Sequence, residues 1–463
     1  MIELTRKNIR AVRTMIRKSL GVTARRAPWI TLLATDNQLQ IQAVGKTVAF
    51  EIRFPGHYQP ECFAIPYEAL TACEGRQDDP VSFTKRDDTM IVEWSDSGIP
   101  QSASFPVSEP VEMPGHPETL TNIEPRFLAA MANAVATTEK QENRFALDCI
   151  RLRGSDGQIA ATDSSQALVQ TGYSFPWQDE LLVFASAAFT SSSFSGADEV
   201  LIGRTEDWVS IQVDSRTLHL KIDKERRFPN IDLQIPTQNF AATTLALADD
   251  DVEFLLTSTM RLPGASEQNS PVTVDLNGVV AIRAAPADMA NPTELVLSNS
   301  RRVGKEVRFN TNREFLNRAA ELGFRDIYLR NAEAPAYCQD DRRTYIWALL
   351  SAAGSIKGNG HPIRISSPVN SNNHNPKQRT NSIVTTSQKN TTRRATTRTA
   401  AAANSESDPT PSLLRQAEVL RDSLSSALSE TRNLIGLIKR HQKQNRLVET
   451  TLRSLKQLEH IGA

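Results

Sequence analysis

Apolar and polar residues alternate with period two on both sides of three short turns, the pattern of strand pairs folded at hairpins. Leu147 to Asp163 carries the middle one. Ile150 and Leu152 alternate with Arg151 and Arg153, Ser155-Asp156-Gly157 turns the chain, and Ile159 and Ala161 follow. The first turns at Asp36-Asn37, with Leu39, Ile41 and Ala43 set against Gln40 and Gln42. The third turns at Asn277-Gly278, after Val272, Val274 and Leu276. Asn37 to Gly157 is 120 residues and Gly157 to Gly278 is 121, so the spacing reads as an internal repeat.

Further elements recur in the same frame. An amphipathic helix precedes each hairpin, over Thr5–Leu20, Glu124–Thr138 and Asp249–Met260. A second helical stretch follows each, around Ala69-Leu70, Ala188-Phe189 and Phe315-Leu316. Another strand pair comes next in two copies: Val81, Phe83, then Met90, Val92, Trp94; and Val200, Ile202, then Val209, Ile211, Val213. The expectation is an α+β chain of three similar units over 1–119, 120–237 and 238–353, the last closing on a strand at Thr344–Leu350. Pro-rich extended stretches mark the crossings, SASFPVSEPVEMPGHPET before the second unit and Phe228-Pro229 to Pro236 before the third.

Beyond the third unit the composition changes. Residues 354–405 hold eight Lys and Arg and no acid among Asn, Ser, Thr, Gly and Pro, too little apolar surface to order itself. A basic disordered linker is expected over 354–410, either an inert tether or a nonspecific DNA contact. From Pro411 to about residue 460, Leu413, Ala417, Leu420, Leu424, Ala427, Thr431, Leu434 and Ile438 recur at four and three spacings. That predicts a long helix: a coiled-coil seam, a helical hairpin broken near 440–446, or a helix docked on its own body.

A formal net charge of zero hides an uneven distribution. Residues 354–463 hold seventeen basic residues against seven acids, and residues 1–26 hold eight against one. The stretch between is strongly acidic, a field pattern of basic patches on an acidic body. Cys62, Cys73, Cys149 and Cys338 are scattered without metal-ligand spacing, which predicts reduced structural thiols. No apolar run is long enough to span a bilayer and the start lacks a secretory segment, so a cytoplasmic location is expected.

The first helix carries the sharpest chemical signal. Ile9, Val12, Ile16 and Leu20 form its apolar stripe, while Arg6, Arg10, Arg13 and Arg17 follow the same spacing on another face, with Arg25 and Arg26 just beyond. Arginines in line along a helix can track a phosphate backbone without reading bases; a solvated charged face is the plainer alternative. Lys221, Lys224, Arg226 and Arg227 form a second basic cluster. Asp249, Asp250 and Asp251 suit a helix start better than a metal site. Asp163 reads as a turn cap. There is no phosphate-binding glycine loop, no nucleophile elbow and no zinc-binding histidine pair. A noncatalytic protein without cofactor or metal is expected.

Three phrases resemble the bacterial replicative sliding clamp, the beta subunit of DNA polymerase III: ENRFALDCIRLRGSDGQIAATD, KIDKERRFPNIDLQIP and VRFNTNREFLNRAAELGFRDIYLRNAEAPAYC. The resemblance covers about residues 1–350. It implies three DNA-clamp domains, each with two helices inside and sheets outside. It also implies a head-to-tail homodimeric ring around double-stranded DNA that keeps a polymerase attached, with DNA polymerase III and a clamp loader as partners. Arg6, Arg10, Arg13, Arg17, Arg25 and Arg26 would line the hole. A pocket for partner peptides would lie between the second and third domains, at Thr162, Ala167, Pro229, Ile346 and Ala348. The sequence departs where the family has Gly-His-Arg-Leu, reading Ser164, Ser165, Gln166 and Ala167, and at the end, reading Ala348, Leu349 and Leu350. Two functions follow: a clamp-like processivity factor, or a clamp-fold adaptor assembled through its terminal helix.

Overall fold

The three hairpins form where the alternation places them. In the computed structural model, which describes residues 1–23, 26–140, 144–191, 194, 196–236, 241–285, 292–358 and 362–369, the same element order runs through the chain three times. The first unit comprises β1 (Ile2–Thr5), α1 (Arg6–Leu20), β2 (Trp29–Thr35), β3 (Gln38–Val44), β4 (Val48–Pro55), β5 (Glu61–Pro66), α2 (Tyr67–Cys73), β6 (Pro80–Arg86), β7 (Thr89–Asp96) and β8 (Ile99–Pro106). The second has β9 (Thr121–Ile123), α3 (Arg126–Val135), β10 (Cys149–Arg153), β11 (Gln158–Thr162), β12 (Gln166–Gln170) and β13 (Glu180–Phe184). A 3-10 turn, Ala187–Thr190, then leads to β14 (Val200–Arg204), β15 (Trp208–Val213) and β16 (Arg216–Lys221).

The third has β17 (Thr243–Ala246), α4 (Asp249–Ser258), β18 (Pro271–Asp275), β19 (Val280–Ala284), β20 (Thr293–Leu297), β21 (Arg301–Gly304) and β22 (Arg308–Asn312). It continues through α5 (Arg313–Glu321) to β23 (Asp326–Leu329), β24 (Ala336–Gln339) and β25 (Arg343–Trp347). A last strand, β26 (Ile363–Ser366), lies inside the stretch whose composition reads as linker. The expected start of disorder at 354 is therefore wrong for the described residues up to 369. The terminal helix expected from Pro411 lies outside the described residues.

Each unit makes two four-stranded half-sheets, with β21 added as a fifth strand beside β17 in the third unit, and the units are joined by sharing them. The first strand and last three of a unit run β1-β6-β7-β8, β9-β14-β15-β16 and β17-β23-β24-β25; the middle four run β5-β2-β3-β4, β13-β10-β11-β12 and β22-β18-β19-β20. At both junctions the third middle strand of one unit pairs antiparallel with the last strand of the next. β4 meets β16 with Phe50 opposite Leu218, and β12 meets β25 with Ala167 opposite Ile346. The result is an eight-stranded and a nine-stranded sheet across the unit boundaries. This rule leaves two ends: among the described residues β8 has no strand beyond it, and β20 carries β26.

The helices form one continuous row against these sheets. α1 packs on α2 and, across the first junction, on the Ala187–Thr190 turn, which also touches α3. Ser186 donates to the Ser19 carbonyl there, at 3.0 Å. Across the second junction, Arg318 of α5 donates to the Asn133 carbonyl of α3 at 3.1 Å, and α5 packs on α4. α1 is closed at both ends, by Thr5 accepting from the Asn8 N–H and by left-handed Gly21 donating to Arg17 O. The second unit has a 3-10 turn, Ala187–Thr190, in place of a second helix; the run of Ser and Thr that follows the alanines offers competing side-chain hydrogen bonds that disfavour extending it. Gly157 is needed at the middle hairpin: φ is +62°, and a Cβ would sit 1.9 Å from the Tyr173 carbonyl oxygen. One core runs through the first two units and a second fills the third. Among the described residues no helix is long and apolar enough to cross a membrane.

The first junction carries buried polar groups. Glu51 of β4 is fully buried, accepts from Arg53 at 2.5 Å and lies 3.6 Å from His116 Nε2. His219 of β16 is buried, its Nδ1 2.8 Å from Ser210 Oγ and its ring edge-on to His116 at 5.5 Å. Burial, then the fields of His116 and Arg53, push the His219 imidazole from 6.5 down to about 4. The unfolded chain thus binds a proton between those values that the folded chain refuses. The stability His219 preserves is complete above pH 6.5 and is lost as pH falls towards 4, by on the order of 3 kcal/mol. Urea denaturation across this range should show the loss, and His219→Gln should flatten the slope; an unchanged slope removes His219 as its source.

Candidate nucleic-acid and partner interfaces

The arginines of α1 divide between two faces. Ile9, Val12, Met15 and Ile16 point into the core, and Arg6 lies in their row rather than beside it. Arg6 is buried: it donates to the carbonyls of Cys73 (3.2 Å), Glu74 (3.0 Å) and Ser95 (3.0 Å), and pairs with Asp96 at 2.9 Å. Its guanidinium closes the end of α2, and a Cβ on Gly75 would lie 2.6 Å from Arg6 Nε. The expectation that Arg6 reaches DNA is therefore corrected: at 100° per residue all four arginines fall within about 60° of one another, and it is the approach of Gly75 and Ser95 to the start of the helix that buries Arg6. Arg13 is half-buried, donates to both Glu74 oxygens at 2.9 Å and lies over the Tyr67 ring. Arg10 and Arg17 are exposed on the outer face, with Lys7 beside them, and Arg26 is exposed past the helix end. Arg25 lies outside the described residues.

The rest of the helix row is not basic. α2 exposes Glu68. Arg126 at the start of α3 is engaged by Glu124, the Gly172 carbonyl at 2.9 Å and the Tyr173 ring. α4 begins with the three aspartates, which diverge. Asp249 pairs with Arg325 at 2.6 Å, while Asp251 is fully buried and accepts from Asn299, Ser300 and Ser367. Burial alone would raise the Asp251 carboxyl, but those hydrogen bonds outweigh it and hold it below the usual range. Two members of the second basic cluster are paired, Lys224 with Asp207 (2.7 Å) and Arg226 with Asp148 (2.8 Å) and Asp223 (2.5 Å), while Lys221 and Arg227 are exposed. Asp163 accepts from the Ser165 and Gln166 N–H groups, capping its turn.

The expected peptide pocket is brought together as a packed seam. Ala167 and Ile346 face each other across β12 and β25 and are buried with Ala160, Val169, Ile231 and Tyr337. Thr162 is buried, its hydroxyl donating to Gln166 O at 2.6 Å; Ala348 is exposed and donates to Ser165 O. Pro229 belongs to residues 228–236, which lie over the seam through Phe228, Ile231 and Ile235. Asp232 fastens that segment, accepting from Arg151 at 2.8 Å and Arg153 at 3.0 Å. Arg151 also lies over the Phe228 ring. Nothing in the spacing of Asp232 signalled this pairing, which depends on the chain returning over β10.

Three units with shared sheets and a single row of helices define the sliding-clamp fold. The structure superposes on the DNA polymerase III subunit beta of Pseudomonas aeruginosa with a TM-score of 0.62 at 14% identity, covering 76% of this chain and 99% of that one. The beta subunit of Thermotoga maritima gives 0.63 at 12% identity over 76% and 99%, and the sliding clamp of Bacillus subtilis 0.62 at 12% over 76% and 98%. No family model and no curated protein matches the sequence. The chain has the fold of the bacterial sliding clamps in a strongly diverged form.

The two classes of arginine should respond oppositely to mutation. Arg6→Ala removes a buried cation from three carbonyls and should destabilise the chain by about 2–4 kcal/mol. Arg10→Ala and Arg17→Ala should each stay within about 0.5 kcal/mol of the parent. Urea denaturation ranks them, and an Arg6→Ala protein as stable as the parent would refute the structural role.

Proposed function

We propose that the chain is a clamp-like, noncatalytic processivity factor that associates with double-stranded DNA through phosphates and forms a head-to-tail ring from two copies. The observation that carries this reading is the sharing rule: two junctions use the same pair of strands, and the same rule applied once more joins the third unit to the first unit of another copy. A protein held by topology needs neither base contacts nor a catalytic centre. Arg10, Arg17 and Arg26 are the proposed phosphate contacts, with Arg13 held back by Glu74. The surface beside the packed seam of Ala167 and Ile346, where Leu233 of the Pro229 segment and Ala348 are exposed, is the proposed seat for a polymerase or repair partner.

The adaptor reading keeps one observation in its favour, the β26 strand on the edge that closure would use. The two readings separate on DNA topology. Chain assembled on nicked circular plasmid should co-elute with the circle and be lost when the plasmid is linearised; equal elution from both forms would exclude encirclement. Arg10→Ala with Arg17→Ala should weaken binding to all sequences alike and reduce the slope of log K against log salt by roughly 2. An unchanged slope would place the phosphate contacts elsewhere.

A further inference from the structure

We infer that β26 is a built-in plug: it occupies the edge of β20 that the fold reserves for β8 of a second copy, and ring closure requires its displacement. The inference rests on the proposed clamp reading. At β4 and β12 the equivalent edge is taken by the last strand of the following unit, antiparallel. At β20 it is taken by β26, parallel, with Thr293 opposite Ile363 and Val296 opposite Ser366. Ile363 donates to Pro292 O at 3.0 Å and Ser367 to Val296 O at 2.9 Å, so the outward acceptors of β20 are used.

The plug is held by polar fasteners rather than by a core. Ile363 and Ile365 are 63% and 46% exposed, so lifting the strand off forfeits little apolar burial. What holds it is Arg364 on buried Glu294 at 2.6 Å, and buried Ser367, whose hydroxyl donates to Asp251 at 2.5 Å and accepts from the Ser298 N–H at 2.8 Å. When β26 leaves, Glu294 keeps Arg283 at 2.5 Å, so no buried charge is stranded. Such a strand belongs to the low-stability end of a fold.

The other end of the row is built to match. Val107 donates to Asp88 O beside β7, so by antiparallel alternation the even-numbered residues of β8 turn their backbone outwards. Pro100 and Pro106 occupy outward positions and have no N–H, which blunts the edge against indiscriminate pairing. Ser102 and Ser104 keep theirs. The remaining donors suit a short contact with the carbonyls of Glu294 and Val296, a footprint the size of β26. The partner is therefore a second copy of this chain, presenting β8.

The test compares the full chain with Ile363→Pro/Ile365→Pro, which removes plug donors at exposed sites. Hydrogen exchange at Ser102 and Ser104 and sedimentation mass are read as protein concentration rises. In the double variant these two amides should become roughly tenfold more protected with rising concentration, as the mass gains one chain over the parent, while in the parent they stay fast. Identical β8 exchange in both proteins, or β8 and Ser367 protected together in the parent, overturns the plug. Arg364→Glu with Ser367→Ala should shift both readouts the same way, and carries the test if the prolines compromise folding. Retention on nicked circles is scored separately: β8 protected without retention upholds the plug and rejects encirclement.

Discussion

A strand at the edge of a sheet presents a row of unpaired backbone donors and acceptors, and every unit of this chain ends in two such edges. The architecture follows from satisfying them. β16 closes β4 and β25 closes β12, so the sheets continue through the unit boundaries and the first two units share one apolar core. The same requirement acts at β8 and β20. Prolines at outward positions dull the first, and a segment from beyond the third unit covers the second. Edge satisfaction links the internal joints, the proposed ring and its proposed plug.

Charge is used mainly as a fastener. Arg6 ties α1 to the end of α2, Asp232 ties residues 228–236 to β10, and Asp251 ties α4 to Asn299, Ser300 and Ser367. Arg283 bridges buried Asp275 and Glu294, and the Asp275 carboxyl, though raised by burial, is held low by Arg283, the Asn277 N–H and Arg308. Arginine suits these positions because its planar donors can serve several carbonyls at once. Among the described residues the exposed arginines Arg10, Arg17 and Arg26 lie on α1 and just past its end, while α4 opens with aspartates.

The elements were legible because local periodicity encodes them. Hairpins at Asp36-Asn37, Ser155–Gly157 and Asn277-Gly278, the helix over α1 and the three-fold order all appear as read. What escaped depends on groups far apart in sequence. Arg6 and Arg10 differ by one turn of helix and look alike in a list of arginines; only the approach of Gly75 and Ser95 buries one of them. The resemblance pairs Ala167 with Ile346, which β12 and β25 bring together, but nothing in the neighbours of Ile231 states that residues 228–236 will lie over them. β26 was hidden by composition. Its two isoleucines stay exposed, so it gains order from backbone hydrogen bonds and from Arg364 on Glu294 and Ser367 on Asp251, to which composition is blind.

The competition at β20 can be put on an energy scale. β26 is tethered to the end of β25 by a short segment, itself anchored where Ile356 donates to Thr273 and Asn310 to the Ser351 carbonyl. A short tether gives the plug an effective concentration of about a millimolar, against roughly a micromolar for a free second copy, an advantage of about 4 kcal/mol. Four antiparallel residues cannot overcome that alone. A ring must draw the difference from contacts the plug lacks, chiefly the helix row continuing across the new seam, where α4 of one copy would meet α2 of the other. Those helices expose Glu253 and Glu68, like charges that do not help. In the proposed ring, a binding partner or a polyanion neutralised by α1 would have to supply part of the driving force, which would make closure conditional on what the chain is bound to.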